Sequence, residues 1–177
     1  MVYAEADDLT GLLLDRYGDV VVLQILTAGM ERLRGVLLPV IQELFHPRGI
    51  FLRNDAPSRL LEGLPLEKAV LGNRFDPVVA IEEADLRFQV DIATGQKTGF
   101  FLDQRDNRLA VRPLAPGREV LDCFCYTGGF GLHAAKAGAR SVEGIDISAE
   151  AVAGATENAK LNDLSDRCSF RRGNTFD

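Results

Sequence analysis

The chain has no tryptophan, only two histidines and only three cysteines among its 177 residues. Three thiols, two of them one residue apart at Cys123 and Cys125, make no sensible disulfide framework, and an odd count fits a reducing compartment. Cys123 and Cys125 alone cannot complete a tetrahedral metal shell, and His46 and His133 stand at no spacing that commits either to a ligand set or to catalysis. No apolar run reaches the roughly 18 residues that a membrane-spanning helix needs. The opening MVYAEADDLTG also lacks the basic-then-apolar layout of a secretory signal. These absences predict a cytoplasmic protein with no metal and no membrane partner. Positive charge is short as well: 20 Lys and Arg against 26 Asp and Glu leave a net charge of −6, which argues against general coating of nucleic acid. What is present, 46% hydrophobic and 26% charged residues, is the composition of a folded chain with one good core or two small ones.

Patterning divides the chain into two parts. Leu12–Leu14 and Val20–Leu26 flank a turn containing Gly18 and Asp19 and predict a hairpin. Leu33, Val36, Leu37, Val40, Ile41, Leu44 and Phe45 recur at helical spacing and predict one apolar stripe, with Pro39 expected to kink or break it. GIFLR predicts a strand at 49–53, and the proline-bearing stretch 54–77 reads as loops with short strands. A second hairpin is predicted from Val78–Ile81 and Leu86–Ile92 around EEAD. From residue 95 the texture changes: a helix over roughly 103–112 leads into strand, glycine turn, helix, strand, helix and strand. That alternation calls for a parallel sheet with right-handed crossovers. The expected organisation is a small α+β domain over 1–76 and a partial Rossmann-like α/β domain over 77–177 that includes its leading hairpin.

The most informative stretch is DCFCYTGGFG, residues 122–131, where the first parallel strand hands over to its helix. Ligands of open α/β sheets bind beyond the carboxyl ends of strands. A dinucleotide cradle needs Gly-x-Gly-x-x-Gly, whereas the glycines here are 128, 129 and 131, which disfavours a nucleotide-dependent dehydrogenase. An aspartate at the strand end, Asp122, repels phosphate but suits a cationic amino-acid group. Asp146 ends the next strand in GIDIS, where a carboxylate accepts ribose hydroxyls. Either acid alone reads equally well as a helix cap. The two in sequence, an amino-acid end and a ribose, describe S-adenosyl-L-methionine.

VLDCFCYTGGFGLHAAKAGA, GIDISAEAVAGATENAKLN and QKTGFFLDQRDNR together resemble the S-adenosylmethionine-dependent methyltransferases that modify C5 of cytosine in large-subunit ribosomal RNA. The resemblance covers nearly the whole chain, LTGLLLDRYGDVVVLQ being similar to that family's central domain. It implies the N-terminal half of a class I methyltransferase sheet preceded by a small α+β domain. It also implies a cofactor site of Asp122, Phe124, Tyr126, Thr127, Gly128, Gly129 and Phe130, joined by Asp146, Ile147 and Ser148. Asn174 stands where relatives carry an acid near adenine. Gln104 and Arg105 match the preceding motif, Arg105 as the fork-shaped donor to the methionine carboxylate. Lys97, Thr98 and Phe100 match substrate-side positions.

The resemblance further implies what is not in these 177 residues. The family begins with an RNA-binding domain of the PUA type, and its nucleophilic cysteine belongs downstream of residue 177. No catalytic residue is therefore expected in this chain, and the chain is expected to be truncated at both ends. With strands one to three only of the order 3-2-1-4-5-7-6, strand one would be an open apolar edge, predicting self-association. Lys97, Arg105, Arg108 and Arg112 are expected to form a modest basic stripe toward ribosomal RNA, or a mixed-charge helix surface. The rival function is a catalytically inactive binding or dimerisation module with a vestigial pocket.

Overall fold

A computed structural model describes residues 2–176, which group into two compact units. One runs through Ala80 and resumes over Val90–Phe100, and the other takes Ile81–Gln89 and everything described from Phe101 onward.

In the first unit the strands are β1 (Val2–Tyr3), β2 (Leu12–Tyr17), β3 (Val20–Ile25), β4 (Gly49–Asn54) and β5 (Glu67–Leu71), hydrogen-bonded in that order. β3 and β4 are buried at every position, and the sequence places a helical crossover between them, so they pair in parallel at the centre. Gly18 and Asp19 close the β2–β3 hairpin, with Tyr17 opposite Val20. The crossover is built from α1 (Ala28–Arg32), capped by the Thr27 hydroxyl, and α2 (Arg34–Phe45). A short helix α3 (Ser58–Leu61) precedes β5.

Only part of the apolar stripe expected over 33–45 is buried. Ile41 is buried, with Leu37, Leu38 and Phe45 packed on the core of Leu12, Leu14, Val21, Leu23 and Ile50. Leu33, Val36, Val40 and Leu44 are exposed. Seven apolar positions span a wider arc than one helix can bury against one sheet. Pro39 lies inside α2 without breaking it. It sits on the exposed side of the helix.

Residues 90–100 belong to the first unit because long-range hydrogen bonds hold them there. Arg53 Nη1 donates to the carbonyls of Ile92 at 2.8 Å and Gly95 at 3.1 Å. Thr98 Oγ1 donates to Asp15 at 2.5 Å and lies 2.8 Å from the Tyr17 hydroxyl, which accepts the Phe100 amide at 3.1 Å. The division between the two units falls within the hairpin of β6 (Val78–Glu83) and β7 (Leu86–Asp91).

The second unit carries α4 (Arg105–Val111), β8 (Glu119–Asp122), α5 (Gly129–Lys136), β9 (Ser141–Asp146), α6 (Ala149–Leu161) and β10 (Cys168–Arg172). Its three strands are parallel in the order β10-β9-β8. Leu132, Ala134 and Ala135 of α5 and Ala151, Ala155 and Ala159 of α6 are buried, the alanines letting the helices approach the strands closely. The opposite sheet face is not the apolar surface expected of an open strand one. Arg140 pairs with Glu119 at 2.7 Å and Arg171 with Glu143 at 2.6 Å, leaving Leu121 as an exposed apolar residue of β8.

Candidate cofactor site

The loop after β8 is shaped by hydrogen bonds to the end of β9. The Cys125 amide donates to the Ile145 carbonyl at 2.9 Å, continuing the strand pairing beyond β8. The next amide, of Tyr126, donates to Asp146 Oδ2 at 2.8 Å while Tyr126 sits at φ 46°, a left-handed conformation that costs a non-glycine residue energy. Gly128, the N-cap of α5, has φ 85°, and a methyl group there would lie 3.2 Å from both Ala155 Cβ and Phe170 Cζ. The positive φ favours glycine at that position, and the added carbon would be tight against its neighbours.

Each carboxylate of the predicted pair is half-buried at a strand end. Asp122 Oδ2 accepts the Gly131 amide at 3.2 Å, and Asp146 Oδ1 accepts the Ser148 amide at 3.0 Å. The Ser148 hydroxyl in turn accepts the Ala151 amide at 3.0 Å and caps α6. Burial pushes the Asp122 carboxyl above its ordinary value; amide bonds from Gly131 and Phe124 oppose this, and the nearby Asp146 charge adds to the rise. Two acids sharing one region leave it negative, suited to a cation and hostile to phosphate. A carboxylate has about four lone-pair sites, so each acid keeps accepting capacity after its amide bonds.

The same field silences the neighbouring thiol. Burial, then Asp122 and Asp146, push Cys125 up to about 12, and burial lifts Cys168 to about 11. Neither offers a thiolate near neutrality. Among the described residues no three His, Cys, Asp or Glu side chains cluster to hold a metal ion.

Apolar side chains rim the acids. Phe124, Ile147 and Phe176, following β8, β9 and β10, are 68%, 69% and 85% exposed, and the Phe124 and Phe176 rings lie 5.9 Å apart. Large apolar groups left in solvent beyond the carboxyl ends of parallel strands are a surface for a flat ligand. Sequence reasoning passed over Phe176, which follows the end of β10 by four residues where Phe124 follows the end of β8 by two. Phe101 meets Tyr126 edge to face at 5.3 Å. Thr127 gives its carbonyl to Asn158 Nδ2 at 3.1 Å, its buried Oγ1 has no hydrogen-bond partner among the described residues, and Phe130 is half-buried on α5.

The remaining predicted residues fall as follows. Gln104 accepts from Asn107 at 2.9 Å, and Arg105 is largely exposed beside Asp106 at 3.3 Å. Asn174 is exposed and accepts the Phe176 amide at 3.2 Å. Lys97, Thr98 and Phe100 lie in the first unit: Lys97 is exposed at φ 51°, and Thr98 and Phe100 are buried. The expected basic stripe does not form. Arg108 is buried against Glu83, its Nε and Nη2 donating to the two carboxylate oxygens at 2.6 and 2.7 Å. Arg112 bonds His133 Nδ1 at 2.9 Å and also pairs with Asp85.

A three-stranded parallel sheet with a glycine loop and acids beyond adjacent strands defines a Rossmann-like domain. The chain belongs to the S-adenosylmethionine-dependent methyltransferase family, which matches residues 51–176. It is 46% identical over 167 residues to Ribosomal RNA large subunit methyltransferase I of Shewanella amazonensis, covering 94% of this chain and 42% of that protein. The chain thus spans about two fifths of the length of such relatives. In fold it is similar to a SAM-dependent methyltransferase from Streptococcus mutans, at TM-score 0.82 and 24% identity, over 98% of this chain and 45% of the other. It is likewise similar to a methyltransferase solved in complex with SAH, at TM-score 0.83 and 22% identity, over 99% of this chain and 45% of the other. Among the described residues no helix is long and apolar enough to cross a membrane.

Proposed function

We propose that this chain is the cofactor-binding portion of an RNA methyltransferase acting on C5 of cytosine in large-subunit ribosomal RNA. The observation that carries the reading is the Asp122–Asp146 pair, half-buried beyond adjacent parallel strands and rimmed by exposed Phe124 and Ile147. The residues fit S-adenosylmethionine: the acids suit its ammonium and ribose hydroxyls, and the apolar rim suits its adenine. When bound, that group supplies an electrophilic methyl on sulfur. Asp122 accepts the ammonium, Asp146 the ribose hydroxyls, and Phe124 and Ile147 shield the base. Ser148 fixes the Asp146 loop, Tyr126, Thr127, Gly128, Gly129 and Phe130 shape the wall, and Asn174 meets the base edge. Gln104 and Arg105 hold the methionine carboxylate. Lys97, presented by the buried Thr98 and Phe100, contacts RNA phosphate.

Ring activation at cytosine needs a thiolate; the family resemblance places that nucleophile downstream of these residues, in keeping with Cys125 and Cys168 being held as thiols. The isolated chain is then inactive, while methyl transfer to ribosomal RNA by this chain alone would contradict that assignment. Calorimetry with S-adenosylhomocysteine tests the pocket. Saturable binding by the parent chain and its loss in Asp146→Ala is expected; no heat from the parent leaves an inactive binding or dimerisation module. The unpaired edge of β8 is proposed to self-associate, and a monodisperse monomer by light scattering at micromolar concentration would count against it.

A further inference from the structure

The Glu83–Arg108 pair is more deeply buried than any role in solubility or surface charge requires: the two side chains are 4% and 2% exposed. A buried ion pair is a poor source of stability, because desolvating both charges offsets most of their attraction, and apolar replacements are often as stable. Its value here lies in what it touches. Arg108 Nη1 donates to the Phe101 carbonyl at 3.0 Å, and Phe101 packs on Tyr126. A methyl group on Gly129 would stand 3.1 Å from Arg108 Cδ, so the arginine stem lies directly against the first residue of α5. Glu83 also accepts His133 Nε2 at 3.0 Å, one turn further along α5, while Arg112 occupies Nδ1 and thereby fixes the proton on Nε2. One carboxylate on the β6–β7 hairpin therefore grips α4 and α5 together.

We infer that Arg108, oriented by Glu83, is a positioning residue for the cofactor loop. Its planar fork sets the height of Gly129 and the place of Phe101, and through them the path of the chain from Asp122 to Gly131. The fork and not the charge alone is required, since lysine's three donors share one nitrogen and cannot spread to hold Phe101 while pairing both carboxylate oxygens in a plane. This inference rests on the cofactor reading above.

The test is the double variant Glu83→Gln/Arg108→Met, which removes both buried charges and leaves His133 an acceptor. Two quantities are read below the thermal midpoint: S-adenosylhomocysteine affinity by calorimetry, and hydrogen exchange of the 122–131 segment without ligand. Leu164→Ala, a buried change in the turn that follows α6, serves as the control for general loosening. The expected result is a folded variant with affinity reduced at least tenfold and loop exchange at least tenfold faster, neither change appearing in the control. Should the double variant not fold, Arg108→Lys is measured in its place, with the same two changes expected. A folded variant in which either quantity matches the parent, or a control that reproduces both changes, overturns this inference alone. A parent chain that binds no S-adenosylhomocysteine overturns the cofactor reading and this inference with it.

Discussion

Asp146 Oδ2 accepts the backbone amide of Tyr126 at 2.8 Å, so the acid that ends β9 also holds the left-handed residue of the loop after β8. Strained φ values persist only where surrounding bonds over-determine them. Removing that acceptor in Asp146→Ala leaves the Tyr126 amide without its partner, at a cost of about 1 kcal/mol. The variant is expected to melt several degrees below the parent by circular dichroism. Tyr126→Gly in the Asp146→Ala background should recover part of the loss, because glycine adopts that φ without strain.

Gly144 lies on β9 opposite Phe170 of β10, and a methyl group there would stand 2.3 Å from Phe170 Cδ1 and 3.0 Å from Cys125 Cβ. Gly144→Ala forces the ring or the loop to move and should destabilise the second unit by about 1–3 kcal/mol, as overpacking of a dense interior does. Urea titration reads it. Gly138→Ala, with open space around the added carbon, lacks that clash and isolates the cost of φ 97°.

Burial would raise the Glu83 carboxyl, but hydrogen bonds from His133 and Arg108 overcome it and hold the group down to about 2, against an ordinary 4.5. Its contribution to stability is complete above about pH 4.5 and is lost as pH falls toward 2, because there the unfolded chain takes up a proton that the folded chain refuses. Glu83→Gln should cost about 3 kcal/mol at pH 7, the price of an unpaired buried arginine. The gap between parent and variant should narrow steadily in urea titrations taken from pH 4.5 toward 2.

With Cys125 at about 12 and Cys168 at about 11, iodoacetamide at pH 8 should leave both thiols unlabelled in the folded chain and label both in urea. Mass spectrometry of tryptic peptides gives the answer directly. Rapid labelling of folded Cys125 would mean that the thiol is neither buried nor under the influence of the two acids.

Much of this was legible in the sequence wherever the determinant is local. The β/α alternation, the turn at Gly18 and Asp19 and the acids ending consecutive strands all follow from spacing that a few neighbouring residues decide. What was not legible depends on partners far apart in the chain. Arg108 looked like a surface cation because its partner, Glu83, is 25 positions away. Asn158 and Asn162 accept the Gln89 and Arg87 amides at 2.8 Å each and hold the hairpin edge, again across a long stretch of chain. The outer apolar residues of α2 matched helical period as well as the inner ones, since period alone does not say how wide a face the sheet can cover.

The central claim is that the loops after β8 and β9, tied together by Asp146, grip one cofactor between Asp122 and Asp146. Amide chemical-shift mapping of the ¹⁵N-labelled chain during titration with S-adenosylhomocysteine tests it most directly. Saturable shifts at Tyr126, Gly128, Gly131, Ile147 and Ser148, with Glu119, Arg140 and Ser169 at the other end of the same strands unmoved, are predicted. No shifts, or shifts confined to Glu119, Arg140 and Ser169, would contradict it.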